Sequence, residues 1–367
     1  MTKKTMLDYV SETPALLEKN WACAAELTAP LVSLLMERPF RLLRIVASGS
    51  SCHSAWCARP LMRRLLGLEV LITPPHTFTY HEHELPDDQL TLVVSQSGYS
   101  TNALAAADII RKSGSFAVGI TGDSQSDLKD HCDLLVDYGV GTESVGYVTN
   151  GVSSLVLFFQ LFAIEGGLAL GRLSQAEAEV WRADLSAAIQ TNRQCLQVAP
   201  TFLKQHYMEL SSMGTVFLCG SNSCYGAALE GALKLCETVQ VPAFAYESEE
   251  YLHGPELQLT PSHTVFFLDN GGADSARTRA LWEATCLVTR RSYLLTSGNR
   301  APQDSRVLPL DIPPEAELSA LGYLPLFQIM AYQITEDKHL WHKHPLCAKL
   351  EHTISGKSPN YVHKEVL

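Results

Sequence analysis

A strand–glycine–serine turn occurs twice in this chain, and the second copy follows the first after 171 residues. Residues 46–52 read VASGSSC, and residues 217–223 read FLCGSNS. Each turn follows a short apolar run and precedes a helix-like run, as in the βα units of α/β proteins. The repeat therefore predicts an internal duplication of one doubly wound fold, with parallel sheets flanked by helices.

Short apolar runs alternate with helix-like runs through both halves, which is typical of parallel sheets covered on both faces. The predicted strands are 42–47, 70–73, 91–94, 116–121, 134–136, 215–218, 265–268 and 293–295. The main predicted helices are 53–66, 103–110, 152–168, 225–239 and 321–335, and Pro60 is expected to kink or restart the first. The predicted organisation is a helical segment at 1–38, domains at 39–169 and 213–344 joined by a helical connector at 170–212, and an irregular tail at 345–367.

Composition limits the function classes. The 367 residues suffice for two domains, and the net charge of −11 argues against a general nucleic-acid surface. The apolar run around 154–170 is interrupted by Gln160, Glu165 and two glycines, so no membrane span is predicted, and no signal peptide is recognised. Ten cysteines are scattered without metal-site spacing. We therefore expect a reduced, cytoplasmic protein with no metal or other cofactor and no nucleic-acid or membrane partner.

Residues 95–102 (SQSGYSTN) form a small, hydroxyl-rich turn between a predicted strand and a predicted helix. A helix N-terminus offers backbone N–H groups to an anion, hydroxyls add donors, and Gly98 permits close approach. The turn has neither Lys nor Arg, so we predict a neutral, hydrogen-bonded anion site; the alternative is an ordinary N-capped helix. Together with the two Gly–Ser turns, it predicts three anion sites at carboxyl ends of strands, where open α/β sheets bind ligands.

Three charged residues, Glu230, Lys234 and Glu237, share one face of an otherwise apolar predicted helix. A helix that is apolar almost all round is buried, so this stripe faces either a cleft or an exposed edge with ordinary ion pairs. His253 precedes Gly-Pro at a predicted turn and is either a proton shuttle or a hydrogen-bonded loop residue. Lys349 lies in the predicted irregular tail, where a lone lysine is ordinarily solvated.

Four ordered motifs resemble one family, the sugar isomerase (SIS) superfamily. They are residues 95–98 (SQSG), 229–237 (LEGALKLCE), 253–255 (HGP) and 346–349 (LCAK). The similarity runs from about residue 40 to 355 and is greatest to the isomerase half of glucosamine-6-phosphate synthase and its stand-alone relatives. Those relatives include the deglycases of fructoselysine 6-phosphate and glucoselysine 6-phosphate. The resemblance implies an α/β fold of two tandem, doubly wound SIS domains.

The resemblance also implies a sugar-phosphate site. The residues that match positions binding the phosphate and nearby hydroxyls are Ser50, Ser51, Ser95, Gln96, Ser97 and Ser100. Glu237 matches the base that moves a proton between C1 and C2 of the sugar. His253 matches the group that opens the sugar ring from the partner subunit, so a homodimer with a shared site is expected.

Four further positions are implied to surround that base. Lys234 and Glu230 match its charged neighbours, and Ala348 and Lys349 match the tail that closes over the sugar. Lys349 is also suited to stabilising negative charge that develops on an enediol oxygen.

The sequence departs from the synthases in ways that bear on the reaction. It begins Met-Thr-Lys and has no room for the glutaminase domain with its N-terminal cysteine, so glutamine-dependent amination is expected to be absent. Tyr99 replaces an acidic residue of the synthases. Residues 141–143 keep the synthase pattern, but residues 144–151 depart from it and lack the lysine that the synthases have there. These changes surround the amino end of the substrate and fit a deglycase better than a synthase.

Three functions remain as hypotheses. The first is a phosphosugar deglycase that releases an amine, such as lysine, from a glycated-amine 6-phosphate. The second is an aldose–ketose isomerase or an amino-sugar-phosphate deaminase using the same residues. The third is a non-catalytic sugar-phosphate sensor, which the short, acidic N-terminal segment disfavours because it cannot hold a helix-turn-helix.

Overall fold

The computed structural model describes residues 4–342 and 344–362 of the chain. In these residues the strands β1–β10 are Leu42–Ala47, Glu69–Thr73, Gln89–Val94, Val118–Thr121, Leu134–Asp137, Val216–Gly220, Ala243–Glu247, Thr264–Leu268, Ser292–Ser297 and Val307–Leu310. The helices α1–α13 are Met6–Ala22, Ala24–Glu37, Gly49–Leu66, Pro75–His81, Thr101–Lys112, Leu128–His131, Asn150–Ala169, Gln175–Gln205, Tyr207–Ser211, Ser223–Lys234, Ser275–Thr285, Ala320–Asp337 and Pro345–Thr353. A π-helical turn, Leu235–Val239, follows α10 directly.

The strands form two five-stranded sheets with the same internal order. The first sheet runs β2-β1-β3-β4-β5, and the second, written from its other edge, runs β7-β6-β8-β9-β10. All paired strands are parallel. Each sheet reverses direction of winding beside its first strand, between β1 and β3 or between β6 and β8. The predicted duplication of a doubly wound α/β fold is therefore confirmed.

The helix α7 is the most apolar long helix of the described residues. Its residues are buried over nearly the whole length, and it packs against α1, α2, α3 and α8. By length and hydropathy α7 is able to cross a membrane, which differs from the sequence-based prediction, but 89% of its apolar window is buried inside the protein. The apolar character of α7 is thus accounted for by its contacts with neighbouring helices.

The observed elements correct several predictions. The helix α3 begins at Gly49, because a φ of +55° at this glycine lets the chain pass from strand to helix in one step, and it continues through Pro60. The strands β7 and β10 were absent from the prediction. The tail is not irregular throughout, since Pro345–Thr353 form a helix. The helices α1 and α2 lie within the predicted segment 1–38, and α8 and α9 lie within the predicted connector 170–212; the domain bounds stay predictions.

Candidate active site

A cavity of about 580 Å³ opens where the winding of the first sheet reverses, beyond the carboxyl ends of β1 and β3. Parallel α/β sheets bind their ligands at this kind of position. The predicted site residues that line this cavity are Ser50, Ser51, Ser95, Gln96, Ser97, Ser100 and Glu237. The sheet topology thus brings together residues that are up to 187 positions apart in the sequence.

The two serine-rich turns place the N-termini of α3 and α5 on the cavity wall. Ser50, Ser51 and Ser95 are each less than a tenth exposed. Within the described part of the chain, neither Ser48 nor Ser100, the N-cap residues, makes a side-chain capping hydrogen bond. The first N–H groups of α3 therefore remain for an anion, which the positive end of the helix dipole also favours. At α5 the first N–H, that of Thr101, already donates to the Gly356 carbonyl at 3.2 Å.

Gly98 is required by the geometry of the 95–102 turn. Its φ is +68°, and a Cβ atom there would lie 1.8 Å from the Ser126 Oγ and 3.0 Å from the Thr121 Oγ1. The backbone also binds the neighbouring segment, because the Gly98 carbonyl accepts a hydrogen bond of 3.0 Å from the Leu128 N–H. The backbone at Gly98 therefore closely approaches the neighbouring segment that contains Thr121, Ser126 and Leu128.

We expect Gly98→Ala to lower the stability of the protein by more than a matched change at Gly114. Gly114 has a φ of +81°, but a Cβ atom there would meet no described atom within 4 Å. Gly114→Ala should thus lose about 1–2 kcal/mol for the backbone conformation, and Gly98→Ala about 1–3 kcal/mol more for the overlap. Urea unfolding of both variants measures the difference. Equal losses would contradict the expected overlap between the added methyl group and Ser126.

The charged stripe predicted on α10 is a buried ion cluster behind the cavity wall. The Lys234 ammonium, 1% exposed, lies 3.2 Å from the Glu230 Oε1 and directly contacts the Glu237 carboxylate. Glu230 also accepts hydrogen bonds of 3.0 Å from the Ser50 hydroxyl and 2.9 Å from the His53 Nδ1. Glu230 and Lys234 are thus fully enclosed, whereas Glu237 reaches the cavity with a quarter of its side chain exposed.

The pKa values of the two carboxyl groups in the cluster are shifted in opposite directions. Desolvation raises the pKa of Glu237 above its ordinary value, although the nearby Lys234 ammonium opposes this. Desolvation also acts to raise the pKa of Glu230, but Lys234, His53 and Ser50 together leave it lowered. Glu230 is therefore the permanent counter-ion of Lys234, and Glu237 is the carboxyl group suited to taking up and releasing a proton.

Glu237 lies in the π-helical turn and not in a continuous α-helix. The sequence predicted one helix from 225 to 239, but the α-helix α10 ends at Lys234. Single π turns within helices occur frequently at functional sites, because they displace a side chain from the regular α-helical positions. The turn ends at Gln240, whose φ is +60°.

Glu143 is a cavity residue that the sequence analysis did not include in the site. It is 4% exposed, and its carboxylate contacts the Gln96 side-chain amide and accepts from the Thr149 N–H at 3.1 Å. The Asn150 N–H, at the start of α7, also donates to it. Burial raises the pKa of Glu143, with these hydrogen bonds opposing the shift. Glu143 therefore holds Gln96 in the cavity wall; the retained 141–143 motif was the signal in the sequence.

Lys357 is a second cavity residue that the sequence analysis missed. Its ammonium donates to the Ser97 Oγ at 2.7 Å and to the Ser100 Oγ at 3.2 Å. The prediction of a neutral anion site without lysine or arginine is therefore wrong for the folded chain, because the cation comes from the C-terminal tail.

In the Gly–Ser turn of the second half, the serine hydroxyl contacts a carboxylate of the chain itself. The Ser221 hydroxyl donates to the Asp274 carboxylate and accepts from the Asn270 side-chain amide at 3.0 Å. Asp269, fully buried at the end of β8, adds a second carboxylate at the same edge. The Arg279 guanidinium lies 3.5 Å from the Asp269 carboxylate, whereas the Asp274 carboxylate holds the Ser221 hydroxyl itself. Of the three predicted anion sites, the two in the first half share one cavity.

Three predicted residues lie outside the cavity of their own chain. Of the described residues, those lining the cavity do not include His253, Ala348 or Lys349, and all three are exposed. His253 follows a short 3-10 turn, and the other two lie on α13. The roles implied for His253 in a partner's site and for the tail over the sugar stay predictions.

The chain is similar in sequence to known proteins, and the matches include the first serine-rich turns of the cavity. Residues 42–164 match the family model of the SIS domain. The glutamine–fructose-6-phosphate aminotransferase of Symbiobacterium thermophilum is 30% identical over 232 residues, which are 63% of this chain and 38% of the relative. That of Chlamydia muridarum is 26% identical over 350 residues, 91% of this chain and 55% of the relative. The chain thus spans about half or less of the length of these curated relatives.

Solved structures show the same fold along almost the whole chain. A proposed phosphosugar isomerase from Clostridium difficile 630 has a TM-score of 0.87 at 21% identity, covering 97% of this chain and 100% of that one. The C-terminal domain of glucosamine-fructose-6-phosphate aminotransferase from Francisella tularensis has a TM-score of 0.81 at 19% identity, covering 92% and 97%. Glucosamine-6-phosphate deaminase from Thermotoga maritima has a TM-score of 0.72 at 20% identity, covering 99% of each chain.

Proposed function

The chain belongs to the SIS family through residues 42–164, and on that basis we propose that its cavity binds a sugar phosphate and moves a proton between C1 and C2 of the sugar. The observation that carries this proposal is that Glu237, a carboxyl group with a raised pKa, lines the same cavity as two serine-rich turns at helix N-termini. The turns suit a phosphate, and the carboxyl group suits proton transfer.

The phosphate serves as a fixed handle for the reacting carbons. Hydroxyls of Ser51, Ser95 and Ser97 and the N-termini of α3 and α5 line the cavity. Holding the ester there positions the rest of the molecule toward Glu237, which lowers the entropic part of the reaction barrier.

Glu237 then acts as the general base. It takes a proton from one of the two carbons and returns it to the other, which interconverts a ketoamine and an imine when the substrate carries an amine. A base must accept a proton and release it again near neutral pH, and the raised pKa favours this exchange. Lys234 keeps positive charge beside the carboxylate without touching the cavity.

We propose deglycation as the specific reaction. Water adds to the imine, the carbon–nitrogen bond breaks, and the products are a sugar 6-phosphate and the free amine. The support is positional, because Tyr99 and the segment containing Val145, Gly146 and Val148 line the cavity. These are places where the sequence departs from the synthases, so these departures lie at the site.

The test of this function is incubation of the protein with a panel of glycated amino-acid 6-phosphates, following release of primary amine and of sugar 6-phosphate. The proposal expects both products in equal amounts from at least one member. Isomerisation of a simple sugar phosphate without amine release would favour the isomerase, and ammonia from an amino-sugar phosphate would favour the deaminase. Binding without turnover of any substrate would favour the sensor.

We further propose that the working unit is a homodimer in which His253 enters the partner's cavity. Mixing Glu237→Gln with His253→Ala should then restore part of the activity that each variant lacks alone. In a mixed dimer both substitutions fall in one site and leave the other site intact. Refolding the two together and assaying turnover measures this, and Glu237→Gln refolded alone is the control. Absence of any recovery in verified mixed dimers would contradict a shared site.

A further inference from the structure

The C-terminal segment 355–362, here called the tail segment, is bound to the serine turn by backbone hydrogen bonds. Ser100 and Lys357 form an isolated antiparallel bridge. The Ser358 N–H donates to the Tyr99 carbonyl at 2.9 Å, and the Thr101 N–H donates to the Gly356 carbonyl at 3.2 Å. The tail segment therefore runs beside the turn as a short added strand.

Side chains on both sides of the bridge strengthen this attachment. The Asn360 amide donates to the Asp127 carboxylate at 3.0 Å, and the rings of Tyr99 and Tyr361 lie 5.6 Å apart. These contacts fix the backbone at Lys357 and thereby the direction of its side chain.

The Lys357 ammonium consequently lies among the phosphate-binding hydroxyls. It donates hydrogen bonds to Ser97 and Ser100, and it lies 5.1 Å from the centre of the Tyr361 ring. A serine hydroxyl that accepts a hydrogen bond from an ammonium still has its own proton to donate. Ser97 and Ser100 are thus turned by Lys357 into donors toward the cavity.

We propose that Lys357 is a ligand of the substrate's phosphate, so that the tail segment completes the anion site of its own chain. This inference rests on the proposed function, which places a sugar phosphate in the cavity. Lys357 lines the same cavity as Ser97 and Ser100, so an oxygen that accepts from either hydroxyl is also attracted by the ammonium. The lysine therefore selects a doubly charged phosphate ester over an uncharged sugar.

The experiment compares binding of inorganic phosphate, glucose 6-phosphate and glucose by isothermal calorimetry. We expect Lys357→Gln to weaken binding of both phosphates by about 10- to 100-fold, the range for one hydrogen bond to a charged group. Lys357→Arg should retain most of the affinity. Lys204→Gln, on an exposed position of α8 outside the cavity lining, should bind as the wild type does. Melting curves of all variants confirm that each is folded.

The possible results distinguish the role of Lys357 from the proposed sugar-phosphate site. If Ser97→Ala weakens phosphate binding and Lys357→Gln does not, the lysine is no ligand, and the proposed sugar-phosphate site stands. If the wild type binds neither inorganic phosphate nor glucose 6-phosphate, both proposals fail together. Weaker binding of the Gln variant that also loses its dependence on salt concentration supports a direct charge interaction.

Discussion

Glu237→Gln is expected to lower turnover by about 10²–10⁴-fold, the contribution typical of a general base. The amide keeps the size of the side chain and an oxygen that accepts from Lys234, but it cannot take up a proton. Because the hydroxyls and helix N-termini proposed to hold the phosphate are left in place, the affinity for a sugar phosphate should change little. The loss should therefore appear in kcat and leave KM nearly unchanged.

A matched control for this variant is Glu283→Gln, which removes the same charge from an exposed position of α11. It should retain full turnover. Calorimetry with glucose 6-phosphate then checks that the Glu237 variant still binds the phosphate. An equal loss of turnover and of phosphate binding would mean that Glu237 supports the shape of the cavity and is not the base.

Lys234→Met should destabilise the protein by about 3–5 kcal/mol, because it leaves buried carboxylates without their cation. Lys234 is fully buried, and Glu230 is 1% exposed and cannot turn to solvent. Methionine fills a similar volume, so the loss reports the missing charge more than a cavity. Turnover should fall as well, since Glu237 loses the neighbour that opposes the rise in its pKa.

The pH dependence of this loss follows from the direction of each shift. The pKa of Glu230 is lowered in the folded chain, so its contribution is present above its ordinary value of 4.5 and is lost as pH falls through the lowered value. The pKa of Lys234 is raised, although desolvation opposes this, so its contribution is present below 10.5 and is lost as pH rises further. The contribution of Glu237 has the opposite pH dependence to that of Glu230, because a raised pKa in the folded chain favours folding most at acid pH. The difference between wild type and variant should therefore be greatest between these two ordinary values.

Urea unfolding across this pH range measures the effect, with Lys112→Met as the control. Lys112 ends α5 at an exposed position, and its replacement should cost little at any pH. A loss below about 1 kcal/mol for the Lys234 variant, within the range of exposed ion pairs, would contradict the burial of the cluster.

Strong local patterns allowed much of the fold to be predicted. The strand β1 was predicted with its observed bounds, and both serine turns were placed after the correct strands. The strands that were missed lie at the edges of the second sheet. In β7, Phe244 is 48% exposed and no residue is fully buried, and β10 contains Pro309, so neither has the apolar run typical of an inner strand.

The missed helix α13 had a local signal that was overlooked. Pro345 stands in its first turn, where proline is favourable, and His344 caps it. Leu346, Leu350 and Ile354 recur at a spacing of four residues, although all three remain exposed. The prediction of an irregular tail gave too much weight to the proline as a breaker.

The cavity was predicted in part. Spacing alone placed Glu230, Lys234 and Glu237 on one face, and this agrees with their contacts. Lys357 joins Ser97 from 260 positions away, and no periodicity records such a contact before the chain has folded. The π turn at Glu237 was equally hidden, because its sequence is a good α-helical one.

The carboxylate of Asp274 at the second Gly–Ser turn has a consequence for stoichiometry. A phosphate arriving beside Ser221 would meet like charge, since the Asp274 carboxylate already holds that hydroxyl. Although the two halves share one topology, a single molar equivalent of sugar phosphate per polypeptide is expected to saturate the protein.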